Sequence, residues 1–428
     1  RVFIGLMTDT AQGTGTLVTA DGVPLRISLR RALRRQKLRA ILLVAPLLIF
    51  IVVTFIVPIA DMLFRSVENS IVSDILTRSA PLLADWDADS GELPSEAIFA
   101  AMVEDIKEGR KNRTITRVGQ RLNYEVPGMS SLFRSSGRKA RRIKQAPYKP
   151  ALIKAHKDWG KVETWAAIKQ YLPSYTDGYF LAAVDAKRDP SGNIGRLDES
   201  KRVYLSLFVR TLRLSLTITL LTLVLGFPIA YLMATLPTKT SNILLIFVLL
   251  PFWTSLLVRT TAWIALLQQQ GVINEFLVAL HLVGTDDRPQ MIHNEFGSVV
   301  AMTHILLPFM VLPLFSVMKT ISPSYVRAAV SMGAHPWLAF WKVYFPNTVP
   351  GIGAGAILVF ILAIGYYITP ALVGGTTGTF ISNRIAYHIS SSLNWGLGAA
   401  LGVILLGVVI ALYLLYDKIV GIDNMKLG

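Results

Sequence analysis

The stretch RAAVSMGAHPWLAFWKVYFPNTVPGI, residues 327–352, joins two strongly apolar runs at about residues 298–318 and 348–370. Each run is close to the ~20 residues that a helix needs to cross a lipid bilayer. Small residues, a glycine and several aromatic residues crowd into the short segment between the runs. The sequence therefore predicts a folded connection between two membrane-spanning helices.

The first half of this connection is predicted to be a short helix. Ser322 can cap its N-terminus, and Pro323 suits the first helical position, where a backbone N–H is not needed. Gly333 is a natural residue for its C-terminal end, because glycine adopts the left-handed conformation that ends many helices. We therefore expect a helix from Pro323 to Met332.

A second short helix is predicted to follow. Pro336 can open it, and Pro346 and Pro350 are expected to end it. Its aromatic residues recur at helical spacing on one face: Trp337, Phe340, Trp341 and Tyr344. Ala328 and Ala329 keep the first helix thin, so the backbone of another protein can approach it closely. The alternative is an interfacial helix with aromatic side chains at headgroup depth.

The composition of the whole chain is that of an integral membrane protein. Of its 428 residues, 52% are hydrophobic and only 16% are charged. The absence of cysteine excludes disulfides, a thiolate nucleophile and thiolate metal ligands. The formal charge is +16, but basic residues in a membrane protein serve first as topology signals and headgroup contacts. The sequence therefore predicts a lipid bilayer, and no nucleic acid, as partner.

Six apolar stretches approach the length of a membrane-spanning helix: 41–62, 207–234, 242–267, 298–318, 348–370 and 397–416. We therefore predict an all-α membrane protein with six transmembrane helices. The predicted segments are a basic tail (1–40), a first transmembrane helix (41–64), an insert (65–202) and a core with helices 2–6 (203–428), which contains the 321–346 connection.

The orientation follows from the basic residues before the first span, which are Arg26, Arg30, Arg31, Arg34, Arg35, Lys37 and Arg39. No acidic residue lies among them, so the positive-inside rule places the N-terminus in the cytoplasm. Alternation from there puts the 321–346 connection and the C-terminus in the cytoplasm and the insert outside.

The insert, about 140 residues long, is large enough to be a small domain. Helical faces are expected at Ile98, Met102 and Ile106, after an N-cap at Ser95, and at Trp165, Ile168 and Leu172. We therefore predict a mainly helical extracytoplasmic domain. Its acidic first part and basic middle are either solvated faces of that domain or a docking surface for an acidic partner.

The 321–346 connection resembles a signature of the permease subunits of binding-protein-dependent ABC importers. That signature is Glu-Ala-Ala, three residues, Gly, nine residues, then an aliphatic residue, any residue, an apolar residue and Pro. In this chain Ala328, Ala329, Gly333 and Pro346 keep every spacing, while Arg327 stands where the family has glutamate.

Other segments resemble the spermidine/putrescine-type permeases of that family. They are TLRLSLTITLLTLVLGFPIAYLMA in the second span, LLVRTTAW in the third, and TPALVGG and NWGLGAA in the last third. The likeness covers all six spans, whereas the insert is much longer than the family's usual first external loop. It implies a multi-pass permease subunit of the bacterial inner (cytoplasmic) membrane, with cytoplasmic termini, that serves an ATP-driven importer of putrescine or spermidine.

The resemblance also implies partners for the chain. Residues 321–346 would be a coupling loop with cytoplasmic coupling helices that contact a dimer of ATPase subunits, where ATP and Mg²⁺ bind. A second homologous permease subunit and an extracytoplasmic solute-binding protein would complete the importer. The implied coupling residues are Arg327, Ala328, Ala329, Gly333, Phe345 and Pro346.

No enzymatic site is predicted in the chain itself. It has no G-x-x-x-x-G-K-[ST] phosphate loop and no G-x-S-x-G elbow. Its six histidines are scattered, so we interpret them as packed or surface residues rather than zinc ligands. We therefore expect ATP hydrolysis in a partner subunit, and no cofactor or metal in this chain.

The candidates for a solute pathway are ionisable and aromatic residues near the spans. In the resembling permeases an arginine followed by an aromatic residue belongs in the third span, here Arg259 and Trp263. The alternative is that Arg259 lies near the outer end of the span and snorkels. A polyamine also needs carboxylates and aromatic faces, and the best candidates are Asp61, Glu275, Tyr366 and Tyr367.

Three other functions stay open. The same machinery could carry a ferric ion, a phosphonate or another anion, since Arg259 and the basic insert suit an anion as well. A secondary transporter would need an internal repeat of broken helices, which we do not find in the sequence. A membrane-anchored receptor would leave five spans and the spacing of the 321–346 connection unexplained.

Overall fold

The computed structural model describes residues 25–88, 90–188 and 193–420. The predicted basic tail up to residue 24, the side chains of residues 25–35 and the residues after 420 lie outside this part of the chain. The chain divides into two compact units, Arg1–Met62 and Leu63–Gly428. The segment boundaries that we placed at residues 40, 64 and 202 stay predictions.

The first unit contains most of the first predicted span. Helix α1 (Leu25–Ile51) continues through a short π-helical segment (Val52–Ile56) into α2 (Val57–Arg65). Within it, Gln36–Arg65 is a continuous helix of 30 residues, long and apolar enough to cross a membrane. The span is therefore confirmed, and it begins earlier than the sequence indicated.

The insert is mainly helical, as predicted. Near its end, two short strands form an antiparallel hairpin, and they are the strands found in the described residues. Its elements are α3 (Ser70–Ile75), α4 (Ser79–Ala84), α5 (Glu96–Lys111), α6 (Ile115–Asn123), α7 (Met129–Lys139), α8 (Tyr148–Ala155), α9 (Val162–Gln170), α10 (Gly178–Ala183), β1 (Ala186–Arg188) and β2 (Ile194–Arg196).

Aromatic residues form the centre of the insert. The rings of Trp159 and Trp165 are 4.9 Å apart, and Phe99 lies 4.6 Å from Trp165. Each buried indole N–H is satisfied, by the Ser136 hydroxyl at 2.8 Å and by the Trp159 carbonyl at 2.9 Å. All side chains of the predicted faces are buried: Ile98, Met102, Ile106, Trp165, Ile168 and Leu172. The faces are confirmed except at Leu172, which follows the end of α9.

A buried carboxylate joins the insert to the second span, α11 (Tyr204–Thr235). Asp185 follows α10, and its side chain accepts hydrogen bonds from the backbone N–H groups of Val203, Tyr204 and Leu205 at 2.8 to 3.0 Å. These N–H groups begin the helix and have no intrahelical partner. The carboxylate therefore both caps α11 and fixes the insert to it.

The remaining elements contain the other spans and their connections. They are α12 (Thr238–Leu249), α13 (Leu256–Leu267), α14 (Val272–Ala279), α15 (Glu295–Thr320), α16 (Pro323–Ser331), α17 (Pro336–Ala339), α18 (Phe345–Gly365), α19 (Ile368–Val373), α20 (Ile381–Ser390) and α21 (Trp395–Val420). In the described residues five helices could cross a membrane, and a bent pair makes a sixth span if its two parts are counted together.

The third predicted span is this bent pair, and its shape differs from the continuous run that we expected. Thr238–Trp253 and Leu256–Ala279 meet at an angle of 97°. Pro251 sits in a 3-10 turn at the end of α12, and the Ser255 hydroxyl caps α13 by accepting from the Val258 N–H at 3.2 Å. A proline followed by a new N-cap separates two helices that hydropathy alone joins.

Small residues allow the central spans to pack closely. A Cβ atom added at Gly355 of α18 would lie 2.8 Å from the Met310 sulfur of α15, and one at Gly226 of α11 would lie 3.2 Å from the Met310 side chain. Met310, Val311 and neighbouring residues of α15 are fully buried. Close approach through glycine is typical of membrane helices, and it makes α15 the centre of the bundle formed with α11 and α18.

Candidate functional site

The 321–346 connection begins with the short helix that the sequence predicted. Helix α16 has Ser322 as N-cap, whose hydroxyl accepts from the Ser324 N–H at 3.4 Å, and Pro323 in the first turn. At the other end Gly333 has a φ of +94°. The Gly333 N–H donates to the Val330 carbonyl at 2.9 Å, and the Ala334 N–H donates to Ala329 at 3.0 Å. This pattern is a Schellman ending, so the predicted cap is confirmed.

The second predicted helix does not end where we expected. Helix α17 passes through a π-helical segment (Phe340–Tyr344) directly into α18, so Pro336–Gly365 is one helix of 30 residues. Pro346 falls in the first turn after the wider segment, where its missing N–H does not interrupt a regular α-helical ladder. The expectation that Pro346 and Pro350 end the helix is therefore wrong, and the connection is continuous with the fifth span.

The aromatic stripe fixes this continuous helix to the C-terminal end of α11. Phe340 lies 5.7 Å from Tyr231 and 6.4 Å from Phe227, in edge-to-face geometry. Tyr344 is buried and lies 5.3 Å from Tyr231. Half of the predicted stripe therefore packs against the chain's own bundle rather than against lipid or a partner.

The outer face of the connection is apolar and exposed. Met332 is 82% exposed and Trp337 is 67% exposed, and Tyr325 and Leu338 also lie on this surface. Ala328 is exposed as expected, but Ala329 is buried, so its small size serves packing inside the chain. Exposed large side chains in one short segment are typical of an interaction surface.

Arg327 and the two remaining signature residues lie on the same connection. Arg327 is exposed, and no carboxylate of the described residues pairs with it. Phe345 contacts the Phe227 ring at 5.8 Å, whereas Pro346 is exposed. The six predicted coupling residues therefore divide between an exposed group and a packed group.

Three of the predicted pathway residues converge on a residue that the sequence did not single out. The Trp263 indole N–H donates to the His304 Nδ1 at 3.1 Å. The Arg259 guanidinium lies close enough to act electrostatically on His304 and on Tyr366. Its Nε is buried without a hydrogen-bond partner among the described residues. A partly buried arginine whose Nε lacks an acceptor is costly in a span and therefore points to a functional polar cluster.

The other three predicted pathway residues, Glu275, Tyr367 and Asp61, are not placed in this cluster. Glu275 is exposed on α14 and pairs with Arg288 at 2.9 Å. Tyr366 and Tyr367 follow the last residue of α18, outside the helix in which we expected them, and Tyr367 is exposed. Asp61 is exposed on α2, in the first unit. Carboxylates along a polyamine route therefore remain a prediction.

Comparison with known proteins identifies the chain. Residues 226–420 match the family described as binding-protein-dependent transport system inner membrane component. The spermidine/putrescine transport system permease protein PotB of Salmonella typhimurium is 33% identical over 226 residues, which are 53% of this chain and 78% of that protein. The chain belongs to this family of transport permeases.

Other relatives of the permease have different names. PotB of Escherichia coli is 33% identical over 52% of this chain and 81% of its own length. The molybdenum transport system permease protein ModB of Mycobacterium bovis is 27% identical over 43% of this chain and 64% of its own. A chain in the crystal structure of a bacterial ABC transporter that imports alginate is 20% identical, with a TM-score of 0.42. The match covers 51% of this chain and 80% of that chain.

The permease is thus a multi-pass inner-membrane transport subunit, as the sequence predicted. His304 is the residue that sequence reasoning missed, although a histidine inside the apolar run 298–318 was a usable signal. Within the described residues, no group of three or more His, Asp or Glu could hold a metal ion. The family match begins at residue 226, so it does not include the insert.

Proposed function

We propose that this chain is the transmembrane permease subunit of an ATP-driven importer and that its 321–346 connection binds a cytoplasmic ATPase subunit. The observation that carries this proposal is the continuity of Pro336–Gly365, which joins an exposed apolar surface to a central span without a flexible break. Movement of a partner bound at Met332 and Trp337 would reach α18 directly, and α11 through Phe340. A rigid helical connection of this kind can transmit a domain closure.

The partners follow from this role. ATP and Mg²⁺ bind in a dimer of ATPase subunits, a second homologous permease completes the pathway, and a solute-binding protein delivers the cargo outside. With the bent pair between α11 and α15 counted as one span, alternation of six spans would put the insert and the 321–346 connection on opposite sides of the membrane. With the basic residues before the first span inside, both termini are cytoplasmic and the insert is extracytoplasmic.

Polyamines are the proposed cargo, because the relatives at 33% identity are named as spermidine/putrescine permeases. The polar cluster around His304 supplies an indole and a phenol, Trp263 and Tyr366, that can face a cationic amine. Neither acidic pathway candidate, Asp61 or Glu275, lies in this cluster. Selection by carboxylates therefore falls to the solute-binding protein.

An anionic solute is the second candidate cargo, and Arg259 favours it. The buried, unpaired Nε of this partly buried arginine would be satisfied by an oxyanion. The similarity to a molybdenum transport permease also supports an anionic cargo. Competition between a polyamine and an oxyanion for transport would separate the two candidates.

Cross-linking tests the proposed ATPase contact directly. The natural chain has no cysteine, so Met332→Cys introduces a single reactive thiol on the exposed surface. We expect a thiol cross-linker to join this variant to the ATPase subunit in membranes, while the matched variant Arg134→Cys, exposed on the insert, stays unlinked to it. Equal linking of both variants, or of neither, would contradict the proposed binding surface.

A further inference from the structure

A cavity of about 580 Å³ lies between the insert and the start of the last span. It is lined by Arg65 at the end of α2, by residues of α3 and α6, and by the Leu393–Gly396 segment before and at the start of α21. The Tyr124 hydroxyl of the insert donates to the Ser392 carbonyl at 2.7 Å beside it. The cavity is therefore built jointly by the insert and by the family's own core.

The lining of this cavity carries charges of both signs. Three are cationic, Arg65, Arg117 and Arg121, and two are anionic, Glu68 and Asp74. Arg117 and Asp74 are exposed, and neither forms an ion pair within the described part of the chain. The cavity is therefore lined by a cation and an anion, Arg117 and Asp74, that have no ionic partner in the described residues.

Arg121 adds a buried donor that lacks an acceptor. Its Nε donates to Asn69 at 2.7 Å, its Nη1 pairs with Glu125 at 3.1 Å, and its guanidinium lies 4.6 Å from the centre of the Tyr179 ring. The Nη2 has no hydrogen-bond partner in the described residues. Leaving such a group unsatisfied is costly, so an acceptor from a bound molecule would stabilise it.

The cavity lies at the level where two spans end. Arg65 is the last residue of the span Gln36–Arg65, and Trp395 is the first residue of the span Trp395–Lys418. The Arg65 guanidinium sits 5.6 Å from the centre of the Trp395 ring. Tryptophan and arginine at span ends are typical of the headgroup region of a bilayer.

We propose that this cavity binds a phosphoethanolamine zwitterion, supplied by an ethanolamine phospholipid of the surrounding membrane. The phosphate oxygens accept from Arg117 and Arg121, and the primary ammonium donates to Glu68 and Asp74. A simple anion would leave both carboxylates unpaired, and a polyamine would face three guanidinium groups. The guanidinium groups of Arg65 and Arg121 already lie over the rings of Trp395 and Tyr179, so a quaternary choline would compete with them for these aromatic rings of the lining.

Lipid retention by the purified full-length protein tests this proposal. The protein is exchanged into detergent with equal amounts of ethanolamine, glycerol and choline phospholipids, and bound lipids are counted by native mass spectrometry. We expect ethanolamine phospholipid to be retained preferentially. Asp74→Asn and Arg117→Gln should each lower its retention about tenfold, the change that loss of one charged hydrogen bond produces.

Matched controls are Asp85→Asn and Arg134→Gln, which neutralise exposed charges of the insert away from the cavity lining and should leave retention unchanged. Soluble glycerophosphoethanolamine, added without ethanolamine lipid, distinguishes the two sources of the zwitterion. If it binds with the same dependence on Asp74 and Arg117, the chemistry holds and the source is the solution. Equal retention of all three lipids, or no difference between the cavity and control variants, would overturn the proposal.

Discussion

Gly333 is the residue at which the 321–346 connection depends most on backbone conformation. A Cβ atom there would meet open space, so the requirement for glycine comes from its φ of +94° and not from a close neighbour. A β-branched residue in this region costs roughly 1–2 kcal/mol. The left-handed conformation of Gly333 sets the angle between α16 and the helix that follows it.

Gly333→Val should therefore abolish uptake while the protein stays in the membrane. Gly333→Asn should restore part of the activity, because asparagine tolerates the left-handed region. The control is Gly402→Val, at a glycine of α21 with ordinary φ and open space beside it. Uptake in whole cells, corrected for the amount of membrane protein, measures the effect, and normal uptake by Gly333→Val would contradict the role of this cap.

Arg327 lies exposed on α16 without an ionic partner in the described residues, so its charge is free to face another protein. Arg327→Glu should change thermal stability by less than ~0.5 kcal/mol and should weaken binding of the chain's own ATPase, most strongly at low salt. Arg134→Glu on the insert is the matched charge reversal. Binding that is unaffected by Arg327→Glu at every salt concentration would show that this charge has no part in the interface.

At the scale of elements, the aromatic contact between Phe340 and α11 fixes the helix Pro336–Gly365 to the bundle. Phe340→Ala removes edge-to-face contacts with Phe227 and Tyr231 and should lower the free energy of unfolding by about 2 kcal/mol. ATP hydrolysis should then continue with less uptake for each ATP. Trp337→Ala is the comparison, since its exposed ring should affect ATPase binding but not stability; equal stability loss in both variants would contradict this division.

Helix α20 is linked to two neighbouring segments through His388, which contacts the Tyr204 hydroxyl at 2.9 Å and the Ser392 hydroxyl at 2.9 Å. Burial, with the nearby Arg384 charge, lowers the pKa of His388 to about 4. The folded protein therefore binds this proton less readily than the unfolded chain, whose histidine pKa is ~6.5, so stability falls as the pH drops from 6.5 toward 4.

The expected loss between pH 7 and pH 5 is about 2 kcal/mol from this residue alone. Thermal unfolding of the wild type and His388→Gln, each measured at both pH values, isolates the contribution. The variant should lose less stability on acidification than the wild type. Identical losses would show that His388 does not titrate between its unfolded and folded pKa values.

Helices and spans were predictable where periodic patterns met clear end signals, as at Ser322 and Gly333. The path of the chain past Pro346 was not, because a π-helical segment accommodates the proline and no local rule reveals that packing. The bend between α12 and α13 was not predictable either, because a hydropathy pattern contains no information on the direction of the helix. The convergence of Arg259, Trp263 and His304 required the packing of α13 against α15, which spacing along the chain does not show.

At the scale of the whole molecule, the family match covers one part of the permease and leaves the insert outside it. The matched core, residues 226–420, includes the 321–346 connection and the spans it joins. The insert lies outside that match and is fixed to the core by Asp185 and by the Tyr124 contact to Ser392. We therefore propose that the core binds the ATPase and that the insert lies on the side where a solute-binding protein would arrive.

The central claim is that this chain couples ATP hydrolysis in a partner to import of a polyamine. The most direct test reconstitutes the chain in lipid with its ATPase and second permease subunit and measures ATP hydrolysis with the solute-binding protein loaded with putrescine or spermidine, or with an oxyanion. We expect the polyamine-loaded protein to stimulate ATP hydrolysis, and we expect Gly333→Val to lose this stimulation. Failure of the ATPase to associate, or hydrolysis that no loaded binding protein changes, would contradict the central claim.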